Sequence, residues 1–358
     1  MNRNNQLLRV GALSVLLAML LRLIGSGFLG GVFEVFAQPE LASFLIYSES
    51  GKKPTLQDNT TAPSDTNAPS DTTAPSDTTA PSETTAPTLP APTQPVPSKP
   101  VTVPSGRVSF TSDDIDYVSM HYSCNYKPDV KALLTQSLNW DLTGDEPSVL
   151  ILHTHGTEAY TETADSQYEE HGGDFRTEDD RYNLISIGDE LTRLLEEGGL
   201  NVIHDRTPHD LNDYLDAYDN SRVAAQKYLA QYPSIKLVLD LHRDAAENAD
   251  GSQWATSCTV NGQKSAQLMF VVGTNASGLN HPNWKTNLSI AAKLNVLMEK
   301  ISPDVTRPID LRRQRFNHDL AMGAMIVEVG SAGNTHEEAM NAISVLAEAI
   351  LELAHGAK

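Results

Sequence analysis

The chain has 358 residues, with 26 Lys and Arg against 46 Asp and Glu, a formal net charge of −20. That balance excludes a nucleic-acid partner, because phosphate contacts call for a basic face. Its two cysteines, Cys124 and Cys258, lack any C-x-x-C neighbour and exclude a cysteine-rich metal cluster. Either they pair in an oxidising compartment or they sit apart as small buried residues.

At the N-terminus, Arg3 and Arg9 precede an apolar stretch over 10–33 that only Arg22 interrupts. It is long enough to span a bilayer as a helix, with the arginines on the inner side and Arg22 snorkelling on its long stem. A signal peptide cleaved after Ala37 competes with this anchor, since Val35 and Ala37 suit a processing site. The apolar region exceeds the usual signal-peptide core and favours the uncleaved anchor over 1–37. On both readings the rest of the chain is exported. Residues 38–105 read as a linker. Within it, Thr60-Thr61-Ala62-Pro63-Ser64-Asp65 recurs with small changes through Pro87. Proline at that period blocks helix and sheet, and little is available to bury. From Gly51 to Ser105 the linker reaches about 170 Å at polyproline length.

Residues 106–358 turn globular and alternate strand with helix. A strand over 149–152 stops at His153-Thr154-His155-Gly156-Thr157-Glu158. Apolar residues at helical spacing follow over 183–195 and end at Gly198-Gly199. A short strand over 201–204 precedes a helix over 212–231, closed by Pro233. Strands over 235–241 and 269–272, a helix over 286–300 and a strand over 324–327 come next. The last helix opens with a capping box, Thr335 to Glu338, and carries an apolar stripe through Met340, Ile343, Ala347, Ile350, Leu351 and Ala354. This alternation predicts an α/β fold: a single mostly parallel sheet covered by helices on both faces.

Three of the strands finish on groups suited to zinc hydrolysis, and in open α/β sheets reactive groups gather beyond the carboxyl ends of strands. His155 and Glu158, at H-x-x-E spacing, and His242 offer two imidazoles and a carboxylate, leaving one position on Zn²⁺ for water. Glu328 is then the general base, distinct from the ligands because a coordinated carboxylate has lost its basicity. Asp240 and His153 are placed to orient the imidazoles. Arg243 either grips a substrate carboxylate or pairs with Asp240 or Asp244. His171, His204, His209, His281, His318, His336 and His355 receive no role, and Asp205 and Asp210 beside two of them read as loop pairing.

The phrases His153-Thr154-His155-Gly156-Thr157-Glu158-Ala159-Tyr160, Asp240-Leu241-His242-Arg243-Asp244 and Val327-Glu328-Val329-Gly330-Ser331-Ala332-Gly333-Asn334-Thr335 closely resemble the stage II sporulation protein P family. The resemblance runs from about Phe110 to the C-terminus. It implies a peptidoglycan hydrolase of engulfment in endospore formation, similar in fold to zinc-dependent N-acetylmuramoyl-L-alanine amidases and zinc carboxypeptidases. It further implies cleavage between muramic acid and L-alanine, endopeptidase activity on stem-peptide cross-links, and stage II sporulation protein D as a partner. His155, His242 and Glu328 match the amidase pattern. The carboxylate ligand does not transfer uniquely: the amidase position falls on Glu178 or Asp179, the carboxypeptidase position on Glu158, which is the reading preferred here. Two rivals remain, a zinc-stabilised module that grips peptidoglycan without cutting it and a pure zinc peptidase.

Overall fold

A computed structural model describes residues 108–356, apart from 139, 140, 174, 246, 247 and 249–251. The anchor over 1–37 and the linker over 38–105 lie outside the described residues. In chain order the elements are β1 (Met120–Tyr122), α1 (Val130–Thr135), β2 (Val149–Leu152), α2 (Leu184–Glu197), β3 (Val202–His204), α3 (Ala217–Gln231) and β4 (Leu237–Asp244). They continue with β5 (Ser257–Val260), β6 (Gln263–Ala266), β7 (Leu268–Gly273), α4 (Trp284–Ile301), β8 (Ile309–Arg312), β9 (Ala324–Ser331) and α5 (His336–Gly356). Seven strands form one sheet in the order β1-β8-β7-β9-β4-β2-β3, and β5 with β6 forms a separate hairpin. Among the described residues no helix is long and apolar enough to cross a membrane.

The sheet is mostly parallel, with one departure from the expectation. β7 pairs antiparallel with β9, so β1, β8 and β7 run against the other four strands. The hairpin explains the reversal. Asn261 and Gly262, at φ 51° and 80°, make the two-residue turn their sequence favours. The chain leaving β4 therefore returns through β7 without the long helical crossover that a parallel neighbour requires.

Coverage by helices is also less even than expected. Strand alternation sends Val149 and Ile151 of β2 into one large core with side chains of α1, α2, α4 and α5. Leu150 and Leu152 point the other way, into a small cluster with Ala225, Tyr228 and Leu229 of α3. Of the five helices, α3 alone contributes to that second face, over β2 and β4 and, through Tyr218, against Met269 and Val271 of β7, so no helix side chain joins these clusters above β8 and β1. The α5 capping box forms: Glu338 N–H donates to Thr335 Oγ1 at 3.2 Å, and Thr335 N–H to Glu338 Oε2 at 3.4 Å. Cys124 and Cys258 are both free thiols.

Several histidines other than the predicted ligands are buried. His153 points into the large core, where its Nε2 lies 2.8 Å from Nε2 of His204. The two rings press on Gly188 of α2, where a Cβ would collide with Nε2 of both His204 and His153, so the mid-helix glycine serves close approach. His318 Nδ1 accepts the Gly273 N–H at 3.0 Å, and His336 Nε2 lies 2.7 Å from Ser186 Oγ. Burial pulls the pKa of His153 and His318 down to about 3, and of His281 and His336 to about 4. Between those values and the ordinary 6.5 the unfolded chain binds more protons than the folded one, so stability must fall as pH drops below 6.5. Each histidine contributes up to about 1.4 kcal/mol per pH unit. Glu328, raised to about 8, opposes this with a single proton. Denaturant unfolding at pH 7 and pH 4.5 should show a large loss of stability at the lower pH. Equal midpoints at the two pH values would contradict it.

Candidate active site

The same alternation that builds the core aims the site. In β4, Leu237, Leu239 and Leu241 enter the large core, which turns Asp240 and His242 to the opposite face. In β9, Met325, Val327 and Val329 do the same, and Glu328 turns with Ile326 toward that face. His242 and Glu328 are register partners on adjacent strands. Beyond β2 the chain makes a tight turn, Glu158 N–H donating to His155 O at 3.1 Å. Thr154 fastens that turn to β4, its N–H and Oγ1 donating to the two oxygens of Asp240 at 2.8 and 2.6 Å.

Three predicted residues are thereby brought together, each about 95 % buried. The rings of His155 and His242 lie edge to face with centroids 5.3 Å apart. Glu158 Oε2 lies 3.8 Å from His242 Nδ1. Behind it, His242 Nε2 faces Asp240 Oδ1 at 3.1 Å, in an ion-pair contact rather than an aligned hydrogen bond. His155 stacks on Tyr214 at 4.3 Å, and Tyr218 stacks on His242 at 6.3 Å. Tyr214 is 46 % exposed and so forms the solvent side of the cluster.

The charges are strongly perturbed. Burial raises the Glu158 pKa, but Arg243, His242, His155 and Arg176 outweigh it and hold the carboxyl below its usual range. Asp240 is likewise buried, yet His242 and Thr154 bring it to about 2. Burial disfavours charge on His242, but Asp240, then Glu158 and Glu328, raise it to about 9. Glu328 is different. Burial lifts it to about 8 against the pull of His242, and its buried Oε2 has no hydrogen-bond partner.

Other predicted residues lie elsewhere. Asp179 pairs with Arg181 at 2.5 Å, and Glu178 lies 2.9 Å from His171 with both side chains half exposed. Neither has a contact to His155 or His242 among the described residues. His153 joins His204 in the core instead of orienting a site imidazole. Arg243 does not pair with Asp240 or Asp244: its Nε and Nη2 donate to the carbonyls of Ala159 and Phe175, its Nη1 lies 3.9 Å from Glu158 Oε1, and its own N–H donates to Glu158 Oε2 at 3.1 Å. Its side chain thus straps the turn to the 175 segment.

The main residue missed from sequence is Asp210. The adjacent pairs expected from sequence do not form: His209 pairs with Asp205 at 3.0 Å, His204 lies 3.2 Å from Asp189, and Asp210 reaches into the site. It accepts from Thr157 Oγ1 and Arg176 Nη1, both at 2.6 Å, and lies 3.8 Å from His155 Nδ1. Arg176 bridges it to Glu158 at 3.3 Å. No spacing motif marks Asp210, because a loop brings it in.

Zinc can be tested against these donors. Tetrahedral ligands at about 2.1 Å from the metal stand roughly 3.4 Å from one another. Glu158 Oε2 and His242 Nδ1, at 3.8 Å, are slightly wider. Among the described residues no three His, Cys, Asp or Glu side chains are grouped closely enough to hold an ion as they stand. The donor types nevertheless fit: His155 Nδ1 is buried without a hydrogen-bond partner, and His242 is backed by a carboxylate on its far nitrogen, the support that ligating imidazoles have.

Fold and cluster define an α/β protein with a buried imidazole–carboxylate site at the carboxyl ends of parallel strands. The family model of stage II sporulation protein P matches residues 38–351. The chain belongs to that family. It is 28 % identical over 222 residues to stage II sporulation protein P of Bacillus subtilis (strain 168), covering 59 % of this chain and 52 % of that one. The chain thus spans about half the length of the curated relative it matches. Among solved structures it is similar to the CwlD amidase of Clostridioides difficile in complex with the GerS lipoprotein, at TM-score 0.36 and 11 % identity over 57 % of this chain and 96 % of that one. The N-acetylmuramoyl-L-alanine amidase AmiC2 of Nostoc punctiforme gives 0.36 and 11 % over 58 % and 98 %. Likenesses this weak bear on neither substrate nor mechanism.

Proposed function

We propose that the chain is a zinc-dependent peptidoglycan hydrolase that cleaves the bond between muramic acid and L-alanine, and stem-peptide cross-links as a second activity. The observation that carries this reading is Glu328. A mostly buried carboxyl whose inner oxygen Oε2 has no hydrogen-bond partner, in register with His242 and raised by burial to about 8, is placed to take a proton from water. His155, Glu158 and His242 would hold the metal, with Asp240 fixing the His242 ring. Bound zinc supplies Lewis acidity and a water of lowered pKa. Glu328 accepts the proton from the attacking water and returns it to the leaving amine. Arg243 and Arg176 keep Glu158 ionised and its turn rigid, and Tyr214 limits solvent entry to the imidazoles.

Around this chemistry we place the anchor over 1–37 in the cell membrane, the linker over 38–105 as a spacer, and the catalytic domain outside, at the sporulation septum with stage II sporulation protein D as partner. Family membership and the sequence of the first hundred residues support these placements. Mass spectrometry of fragments released from purified cell wall tests the bond assignment. Stem peptides with a free L-alanine amine are expected. Release of cut peptide alone, with every stem still attached to glycan, would leave only the peptidase reading.

A further inference from the structure

The half of the second sheet face that α3 leaves bare is an open groove of about 570 Å³, and Glu328 lines one end of it. The register sets its floor. Met269 of β7 pairs with Glu328, and His121 of β1 pairs with Asp310 of β8, which faces away from the core residues Ile309 and Leu311. Three strand steps separate Glu328 from His121, roughly 14 Å at 4.8 Å per strand.

The lining has a definite chemistry. Trp254 on the rim is 51 % exposed, with the Arg307 guanidinium 5.9 Å from its ring centre. Arg307 lies 2.7 Å from Asp244, and Arg312 lies 2.5 Å from Asp310, which His121 also meets at 3.1 Å. An unpaired arginine fork would recruit a carboxylate. Here each arginine already faces an aspartate, so the groove is rich in donors and acceptors yet nearly neutral. An exposed indole amid such groups suits a ligand with one apolar ring face and a rim of hydroxyls.

We propose that this groove is a saccharide subsite, in which a sugar chain crosses β7, β8 and β1 with one ring stacked on Trp254. Its role in presenting a bond to Glu328 rests on the hydrolase reading; the binding itself does not.

The test uses the full chain carrying Glu328→Gln, which separates binding from turnover, and calorimetric titration with two probes. These are peptide-free strands of alternating N-acetylglucosamine and N-acetylmuramic acid, and the free stem peptide. The strands should bind, Trp254→Ala should weaken them about tenfold, and Trp254→Phe should restore most of the loss. Arg312→Ala, a second surface change in the same groove, should also weaken them while leaving the thermal midpoint unchanged. Strand affinity altered less than about twofold by both Trp254→Ala and Arg312→Ala would overturn the subsite. So would loss of stem-peptide binding with strand binding retained. If strands bind through Trp254 but the unsubstituted chain cuts no wall, the subsite stands and the hydrolase reading falls.

Discussion

Replacing His155 or His242 with alanine is expected to remove bound zinc and end wall hydrolysis while leaving the domain folded. The two rings stand 5.3 Å apart at the heart of the cluster, and each supplies a donor that no neighbour duplicates. Loss of residues that merely orient metal ligands costs about 10- to 100-fold in affinity, so loss of a ligand should exceed that. The metal content of each purified variant, read beside its thermal midpoint, checks the assignment. Full zinc occupancy in both variants would remove these histidines from the site.

Glu328→Gln should have the opposite metal signature and a comparable effect on rate. The amide keeps the shape of the side chain and cannot accept a proton from water. Turnover on purified wall should fall by about 10²- to 10⁴-fold, the range of a lost general base, with zinc retained. Zinc lost together with activity would move Glu328 among the ligands and leave the base unidentified.

Much of this arrangement is legible in the sequence, for a physical reason. Strands β2, β4 and β9 are short apolar runs that end abruptly at polar groups, and the runs themselves fix which face each following residue occupies. His155, Glu158, His242 and Glu328 are therefore readable from alternation and chain order, as are the helices with strong apolar stripes and the α5 cap. What is not readable depends on contacts distant in sequence. β1 and β8 are strands of three and four residues that carry polar groups in place of the continuous apolar run that marks β2. The antiparallel entry of β7 follows from an Asn-Gly turn whose consequence emerges only once β9 is in place. Asp210 and Arg176 arrive from loops, each bonded to the turn after β2, and neither belongs to a periodic element. His153 misleads because it sits two residues from His155. Beyond the strand end, alternation carries it into the large core, to His204 and Gly188. Arg243 misleads for a related reason: its nearest charges in sequence are Asp240 and Asp244, yet its guanidinium faces two backbone carbonyls and Glu158.

The central claim is that this chain cuts peptidoglycan with a metal held by its own imidazole and carboxylate side chains. The most direct measurement is wall hydrolysis by the purified full chain before chelation, after chelation and dialysis, and after zinc is returned. The account predicts stoichiometric zinc in the starting protein, loss of hydrolysis when it is removed, and recovery on its return. Undiminished hydrolysis by protein shown to be free of metal would contradict it.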